Sequence, residues 1–138
     1  MSINLSRRQF LQADLVEQFS ATLSALQLPG QCIQLEITES MIMGDIEKAE
    51  QLMNRLKDLG LQLAIDDFGT GYSSLSYLHR FPTDTLKIDQ SFVGQMDGSQ
   101  EDQDIVHTIV SLGRKLGMNL VAEGIETEVQ VNLLQMLG

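Results

Sequence analysis

Asp66-Asp67-Phe68-Gly69-Thr70-Gly71-Tyr72-Ser73-Ser74-Leu75 sets two adjacent carboxylates behind the apolar run Leu61-Gln62-Leu63-Ala64-Ile65 and at the head of a glycine-containing loop. The apolar run has the length and composition of a buried strand. Adjacent strand residues point to opposite faces, but a pair at a strand end can both turn toward one site. Two like charges so close repel unless a cation or a proton intervenes. A divalent metal resolves the repulsion, and a metal at a strand end implies a catalytic mouth.

Other polar residues fall in the same kind of place. Asn4 follows Ser2-Ile3, Glu36 sits between Leu35 and Ile37, and Lys87 sits between Leu86 and Ile88. Glu123 follows Leu120-Val121-Ala122, with Glu126 soon after. Each β-type run therefore carries a polar group near its C-terminal end, the face on which barrel enzymes build their sites. The set holds oxygen ligands and no histidine or cysteine, which favours Mg²⁺ or Mn²⁺ over Zn²⁺. Lys87 adds a cation that could hold a phosphate oxygen or orient an attacking water. Together these groups suit metal-assisted hydrolysis of a phosphoester, two metals activating water and stabilising the leaving oxygen.

Each residue also has a structural alternative. Asn4 could cap the following helix. Glu36 could be a solvated edge residue, although its neighbours have the character of buried ones. One of Asp66 and Asp67 could cap the glycine-rich turn. Lys87 alone would be a surface lysine, and gains weight from its company. Glu126 could serve a helix N-terminus through the macrodipole. Glu39 fits a supporting role, holding a loop or capping the turn at Ser40. His79 and His107 lie on expected helices, away from strand ends, and are read as structural. Asp67-Phe68-Gly69 matches a kinase metal-binding tripeptide, but no catalytic-loop pattern or phosphate loop precedes it. Gly69-Thr70-Gly71 lacks the third glycine of a dinucleotide fingerprint.

The elements that must position these groups alternate. Strands are expected at Ser2-Ile3, 33–37, 61–65, 85–88 and 119–122. A first helix, capped by Ser6, runs from Phe10 and Leu11 through Leu15, Val16, Phe19 and Leu23 to Leu26, ended by Pro29-Gly30. Asp45 caps a second that stops at Gly60. Ser73 starts a short third, through Leu75 and Leu78. A fourth runs from about Asp102 to Leu116 on a stripe of Ile105, Val106, Ile109, Val110 and Leu112. Thr127-Glu128-Val129-Gln130 is a capping box opening a fifth. Alternation without hairpin signals predicts a parallel α/β sheet. Five βα units fit in 138 residues, whereas a closed eight-fold barrel needs about 250. The chain starts at a strand and stops where a helix ends, so both ends are expected to be internal to something larger.

Composition narrows the partners. The formal net charge of −10 argues against a basic nucleic-acid surface, so no DNA or RNA polymer is expected. A small phosphate substrate stays possible, because bound metal ions reverse the sign locally. One cysteine, Cys32, rules out an intramolecular disulfide and fits a reducing, cytoplasmic setting. No apolar run approaches the roughly 20 residues of a membrane span, so no direct membrane contact is expected from this segment.

With these residues in hand, the chain resembles the EAL family of cyclic di-GMP phosphodiesterases. The resemblance rests on Asn4-Leu5-Ser6, Leu35 to Ser40, Asp66 to Leu75, Leu86-Lys87-Ile88-Asp89 with Phe92-Val93, and Ala122 to Thr127. It implies about five-eighths of a TIM-like (β/α)8 barrel of the EAL type, with residues 1–138 as one partial domain. It implies hydrolysis of cyclic di-GMP to the linear dinucleotide pGpG with Mg²⁺ or Mn²⁺ in a two-metal site. By resemblance, Asn4, Glu36, Asp66 and Glu123 are metal ligands, and Glu123 also counts with Asp67 and Lys87 as catalytic. Asp67 is a ligand of the second metal and a possible base, Lys87 orients the water, and Glu126 lies near the substrate. Glu39, Gly69, Gly71 and Ser73 belong to the support of the loop from Asp67 to Ser74. The alternative is a module that binds cyclic di-GMP or a partner protein without cleaving anything.

The family's naming Glu-Ala-Leu strand, an arginine shortly after it, a late glutamine and the last barrel strand are absent. An open barrel leaves two strand edges unpaired. The chain is therefore expected to be poorly active alone and either to form a homodimer or higher oligomer or to rearrange its sheet.

Overall fold

The computed structural model describes residues 1–70 and 78–137. Within these, β1 (Ser2–Asn4), β2 (Gln34–Thr38), β3 (Gln62–Phe68), β4 (Thr85–Ile88) and β5 (Asn119–Ala122) form one sheet. The strands pair in chain order and every pair is parallel, as the alternation of elements requires. The sheet is not rearranged. The intervening helices are α1 (Arg7–Phe10), α2 (Leu15–Leu26), α3 (Glu39–Ile42) and α4 (Ile46–Asp58). After β4 come α5 (Gln90–Gln95), α6 (Gln100–Lys115) and, past β5, α7 (Glu128–Leu137). No helix among the described residues is long and apolar enough to cross a membrane.

Alternation gives the sheet two unlike faces. Leu35, Ile37, Leu63, Ile65, Leu86 and Ile88 point to the helix side and are essentially inaccessible. Ala49, Met53 and Leu56 of α4 and Val106, Ile109 and Val110 of α6 belong to the same buried core. Each such Leu or Ile contributes about 1.5–3 kcal/mol through burial, so this face holds the domain together. The other face carries Gln34, Glu36, Ala64, Asp66, Thr85 and Lys87, most of which line an open hollow.

Several elements differ from expectation for identifiable reasons. The first helix is two. Phe10 and Leu15 are five positions apart, so they cannot share a face of one helix of 3.6 residues per turn. The break lets both be buried, and Leu11 and Leu26, expected on the apolar face, are exposed instead. α2 ends at Gln27, in the left-handed conformation, before Pro29-Gly30 is reached. α6 starts at Gln100 because Ser99 caps it, and Ile105, expected in its buried stripe, is exposed. The short helices α3 and α5 follow strands directly and were not expected; each is too short for a hydrophobic period to show. The expected helix at Ser73 begins in the segment 71–77, outside the described residues.

β3 is the difference that bears on chemistry. It does not stop before Asp66 but runs on through Phe68. Ile65 pairs with Leu86 and Phe68 pairs with Ile88, so β3 spends one more residue than β4 over this step. Asp66 and Asp67 together oppose Lys87. This is a β-bulge, which re-aims side chains and is frequent beside active sites. Asp67 takes up the extra residue with φ +53°.

Candidate acidic site at the strand ends

Three of the acidic residues expected at strand ends, Glu36, Asp66 and Glu123, meet around Lys87. Lys87 Nζ lies 2.8 Å from Glu36 Oε2, 2.9 Å from Asp66 Oδ1 and 2.7 Å from Glu123 Oε1. Glu36, Asp66 and Lys87 are all buried. Glu36 and Lys87 stand on β2 and β4, about 10 Å apart by strand spacing, with β3 between them. Ala64, the β3 residue in register with Glu36 on one side and Thr85 on the other, has the small side chain that leaves their path clear.

These groups line a hollow of about 620 Å³, a volume within the small-ligand range. Asn4, in register with Glu36, lines its wall. Asn4 does not cap α1; Ser6 does, in a reciprocal capping box with Gln9. Beneath the lysine lies a polar floor that strand-end reasoning missed. Ser2 Oγ donates to Gln34 Oε1 at 3.3 Å, and Gln34 Nε2 donates to Thr85 Oγ1 at 2.9 Å. The signal was available: Gln34 and Thr85 precede Glu36 and Lys87 by two residues and so share their face.

Burial opposes the charge on Lys87, but the carboxylates of Glu123, Glu36 and Asp66 outweigh it and hold the ammonium well above its ordinary pKa. Three carboxylates against one ammonium leave the cluster negative. Among the described residues, no group of three or more acid, imidazole or thiol side chains stands arranged around a metal position. The carboxylates converge on Lys87 instead. The donor chemistry nevertheless fits a hard divalent cation: the ligands are oxygens, and their charge exceeds what Lys87 neutralises.

Asp67 and Glu126 are not brought into this cluster. Asp67 is exposed, its N–H turned back to Asp66 Oδ1 at 3.1 Å and its carbonyl accepting from the Thr70 hydroxyl at 2.9 Å. Burial first, then the nearby charges of Asp66, Asp89 and Glu123, push its carboxyl above the usual aspartate range, with Lys87 pulling the other way. Glu126 is exposed in the loop before α7, where its N–H and that of Thr127 donate to Gln130 Oε1 at 2.8 and 3.1 Å. Gln130 N in turn donates to Thr127 Oγ1, completing the expected capping box. Its glutamine is almost wholly buried.

Glu39 opens α3 and is buried under the β3 turn, where its Oε2 accepts from Gly69 N at 3.1 Å. Its Oε1 is buried with no hydrogen-bond partner among the described residues. Gly69 has φ +97°, and a Cβ built there would lie 2.8 Å from Phe92 Cε2. Gly71 and Ser73 lie outside the described residues. His79 and His107 are exposed, His79 in a turn and His107 on α6, neither lining the hollow. A second hollow of about 410 Å³, between α1 and α4, gathers no carboxylate cluster.

The whole chain, residues 1–138, matches the EAL domain family. It is 43% identical over 138 residues to MucR of Pseudomonas aeruginosa, a bifunctional diguanylate cyclase/cyclic di-GMP phosphodiesterase, covering all of this chain and 20% of that protein. The PaMucR phosphodiesterase solved as a c-di-GMP complex superposes with a TM-score of 0.95 at 43% identity, covering 99% of this chain and 56% of that one. BlrP1 of Klebsiella pneumoniae, solved with cy-diGMP and manganese and again with calcium, gives 0.89 at 35% identity, over 99% of this chain and 35% of that one. The chain spans about a fifth of the length of the curated relatives it matches.

Proposed function

This chain belongs to the EAL domain family, and from that premise we propose that it is the central part of a single, divalent-metal-dependent phosphodiesterase domain that cleaves cyclic di-GMP to pGpG. The observation that carries the proposal is the meeting of Glu36, Asp66 and Glu123 on Lys87, in one hollow at the C-terminal ends of parallel strands. Solved relatives with cy-diGMP and manganese or calcium support the substrate and the class of cation.

In this reading Asn4, Glu36, Asp66, Asp67 and Glu123 hold two Mg²⁺ or Mn²⁺ ions. Such ions, when bound, supply Lewis-acid stabilisation and lower the pKa of water. The protein's own groups do the rest. Lys87 keeps its proton and presents a fixed cation to a phosphate oxygen or to the attacking water. Asp67, exposed at the mouth beside Asp66, is the carboxylate placed to take a proton from the attacking water. Glu126 contacts the substrate from the β5–α7 loop. Glu39, through Gly69, holds the turn that carries Asp67; Gly71 and Ser73 belong to the same loop.

The reading puts the domain in the cytoplasm with its nucleotide substrate and, for this chain alone, expects a homodimer or higher oligomer, since β1 and β5 each have one edge without a strand partner among the described residues. A compact monomer on size exclusion would remove that last part. A second reading, a receptor that binds cyclic di-GMP without cleaving it, draws on the ammonium that occupies the centre of the carboxylates. Cleavage of cyclic di-GMP with Mn²⁺ or Mg²⁺ separates the two. It is measured on this chain and on one extended at both ends along its relatives. Cleavage by the extended protein is expected; binding without cleavage by both would favour the receptor.

A further inference from the structure

The acidic groups stand on two separate arms, the Asp66–Asp67 bulge of β3 and the Glu123–Glu126 loop after β5, and α5 touches both. α5 follows β4 immediately, so it is rooted three residues from Lys87. Asp89 caps it by accepting from Ser91 N at 2.9 Å. Val93 and Met96 are inaccessible and fix it to the core. On one side its Phe92 leaves no room for any side chain at Gly69. On the other, a Cβ at Gly124, where φ is +68°, would lie 2.5 Å from Gln90 Cβ. Just past its end, Asp97 Oδ2 accepts from the Thr127 hydroxyl at 3.0 Å. The β5–α7 loop is thus gripped at both ends, Gly124 and Thr127, by residues of one short helix and its exit.

We propose that α5 is a positioning brace, holding the two acidic arms at a fixed separation on either side of Lys87. The inference rests on the proposed function only for its purpose, since the contacts themselves need no metal. None of the gripping residues is a candidate ligand. Outer residues that orient ligands change metal affinity by about 10–100-fold when altered, which is the size of effect a brace exerts.

The test is a set of variants of the full chain, read in two ways. Gly124→Ala pushes against Gln90; the double variant with Gln90→Gly removes the Cβ at 2.5 Å and leaves only the Cα at 3.3 Å. Gly117→Ala is the control, because Gly117 has a similar φ of +72° and nothing within 4 Å. The first reading is amide hydrogen exchange at Gly69, on the opposite arm, in metal-free protein. Gly124→Ala should speed it about tenfold, Gln90→Gly should restore it, and Gly117→Ala should leave it at the wild-type rate. Asp97→Ala, which removes only an exposed hydrogen bond, should speed it about threefold and serves if Gly124→Ala does not fold. The second reading is Mn²⁺ affinity by electron paramagnetic resonance, expected to weaken about tenfold in Gly124→Ala and to recover in the double variant. Gly69 exchange that ignores both Gly124→Ala and Asp97→Ala, or follows Gly117→Ala equally, overturns the brace. A wild-type chain that binds no Mn²⁺ but shows the exchange pattern overturns the metal reading and leaves the brace standing.

Discussion

Lys57 and Lys87 are both partly or wholly buried and both paired with carboxylates, at opposite ends of the same strands. Lys57, near the end of α4, bonds both oxygens of Asp84 at 2.8 and 2.7 Å. Asp84 also accepts from Leu63 N at 2.8 Å. One cation meets one anion, and the pair ties α4 to the beginnings of β3 and β4. Lys87, near the ends of those strands, meets three carboxylates and satisfies the charge of one. The residue types are the same. What separates them is charge balance: the first cluster is electrically closed, whereas the second is short of positive charge and can take a further cation. The placement agrees with the division of barrel folds into a stabilising end and a reactive end.

The sharpest way to break this comparison is to neutralise one acid in each cluster. Asp66→Asn should weaken Mn²⁺ binding about 100-fold or more, since a ligand should matter at least as much as the outer groups that orient it. Metal-free stability should be unchanged or slightly raised, because the change removes surplus negative charge. Asp84→Asn should do the reverse, costing about 1–3 kcal/mol of stability with Mn²⁺ affinity within about twofold. Titration calorimetry and urea melts on both variants decide it; equal losses of affinity would mean that charge balance is not the distinguishing feature.

Removing the cations is the next largest test. Lys87→Met leaves three carboxylates facing each other and should cost on the order of 3 kcal/mol without metal. Added Mn²⁺ should recover part of that loss. Lys57→Met should show no such recovery. A smaller effect is expected from Ala64→Leu, which fills the gap through which Lys87 reaches Glu36. Overpacking there should cost about 1–3 kcal/mol. Nitrogen-15 chemical shifts of the Lys87 ammonium would then report a lost partner, and unchanged shifts would show that Ala64 is not the gate.

Much of this was legible in the chain, because it depends on period-two alternation. Glu36 between Leu35 and Ile37, and Lys87 between Leu86 and Ile88, have to face away from the helices once their neighbours are buried. The parallel order and the caps at Ser6, Asp45 and Thr127 follow from equally local chemistry. The bulge did not. Nothing in Ile65-Asp66-Asp67-Phe68 marks an extra residue, because its position is set by pairing with β4, twenty residues further on. The break between α1 and α2 was readable in the spacing of Phe10 and Leu15. The contacts of α5 with Gly69 and Gly124 were not, since they join three segments that only folding brings together.

The bulge supplies the finest test, a pH dependence at Asp67. Its carboxyl is held above the ordinary aspartate value by burial and by the charges of Asp66, Asp89 and Glu123. A carboxyl raised in the folded state is harder to ionise there than in the unfolded chain. The folded state therefore loses stability as pH rises from about 3.9, the unfolded value, through the higher folded one. Asp67→Asn should flatten the metal-free stability profile over that window and leave the rest of it in place. Asparagine also tolerates the left-handed backbone that position 67 requires, so the variant isolates charge from conformation. Saturating Mn²⁺ should flatten the wild-type profile too, because the ion supplies the positive charge that the cluster lacks. A wild-type profile that stays as steep with Mn²⁺ as without it would place Asp67 outside the reach of the bound ion, and its raised carboxyl would then be a consequence of crowding alone.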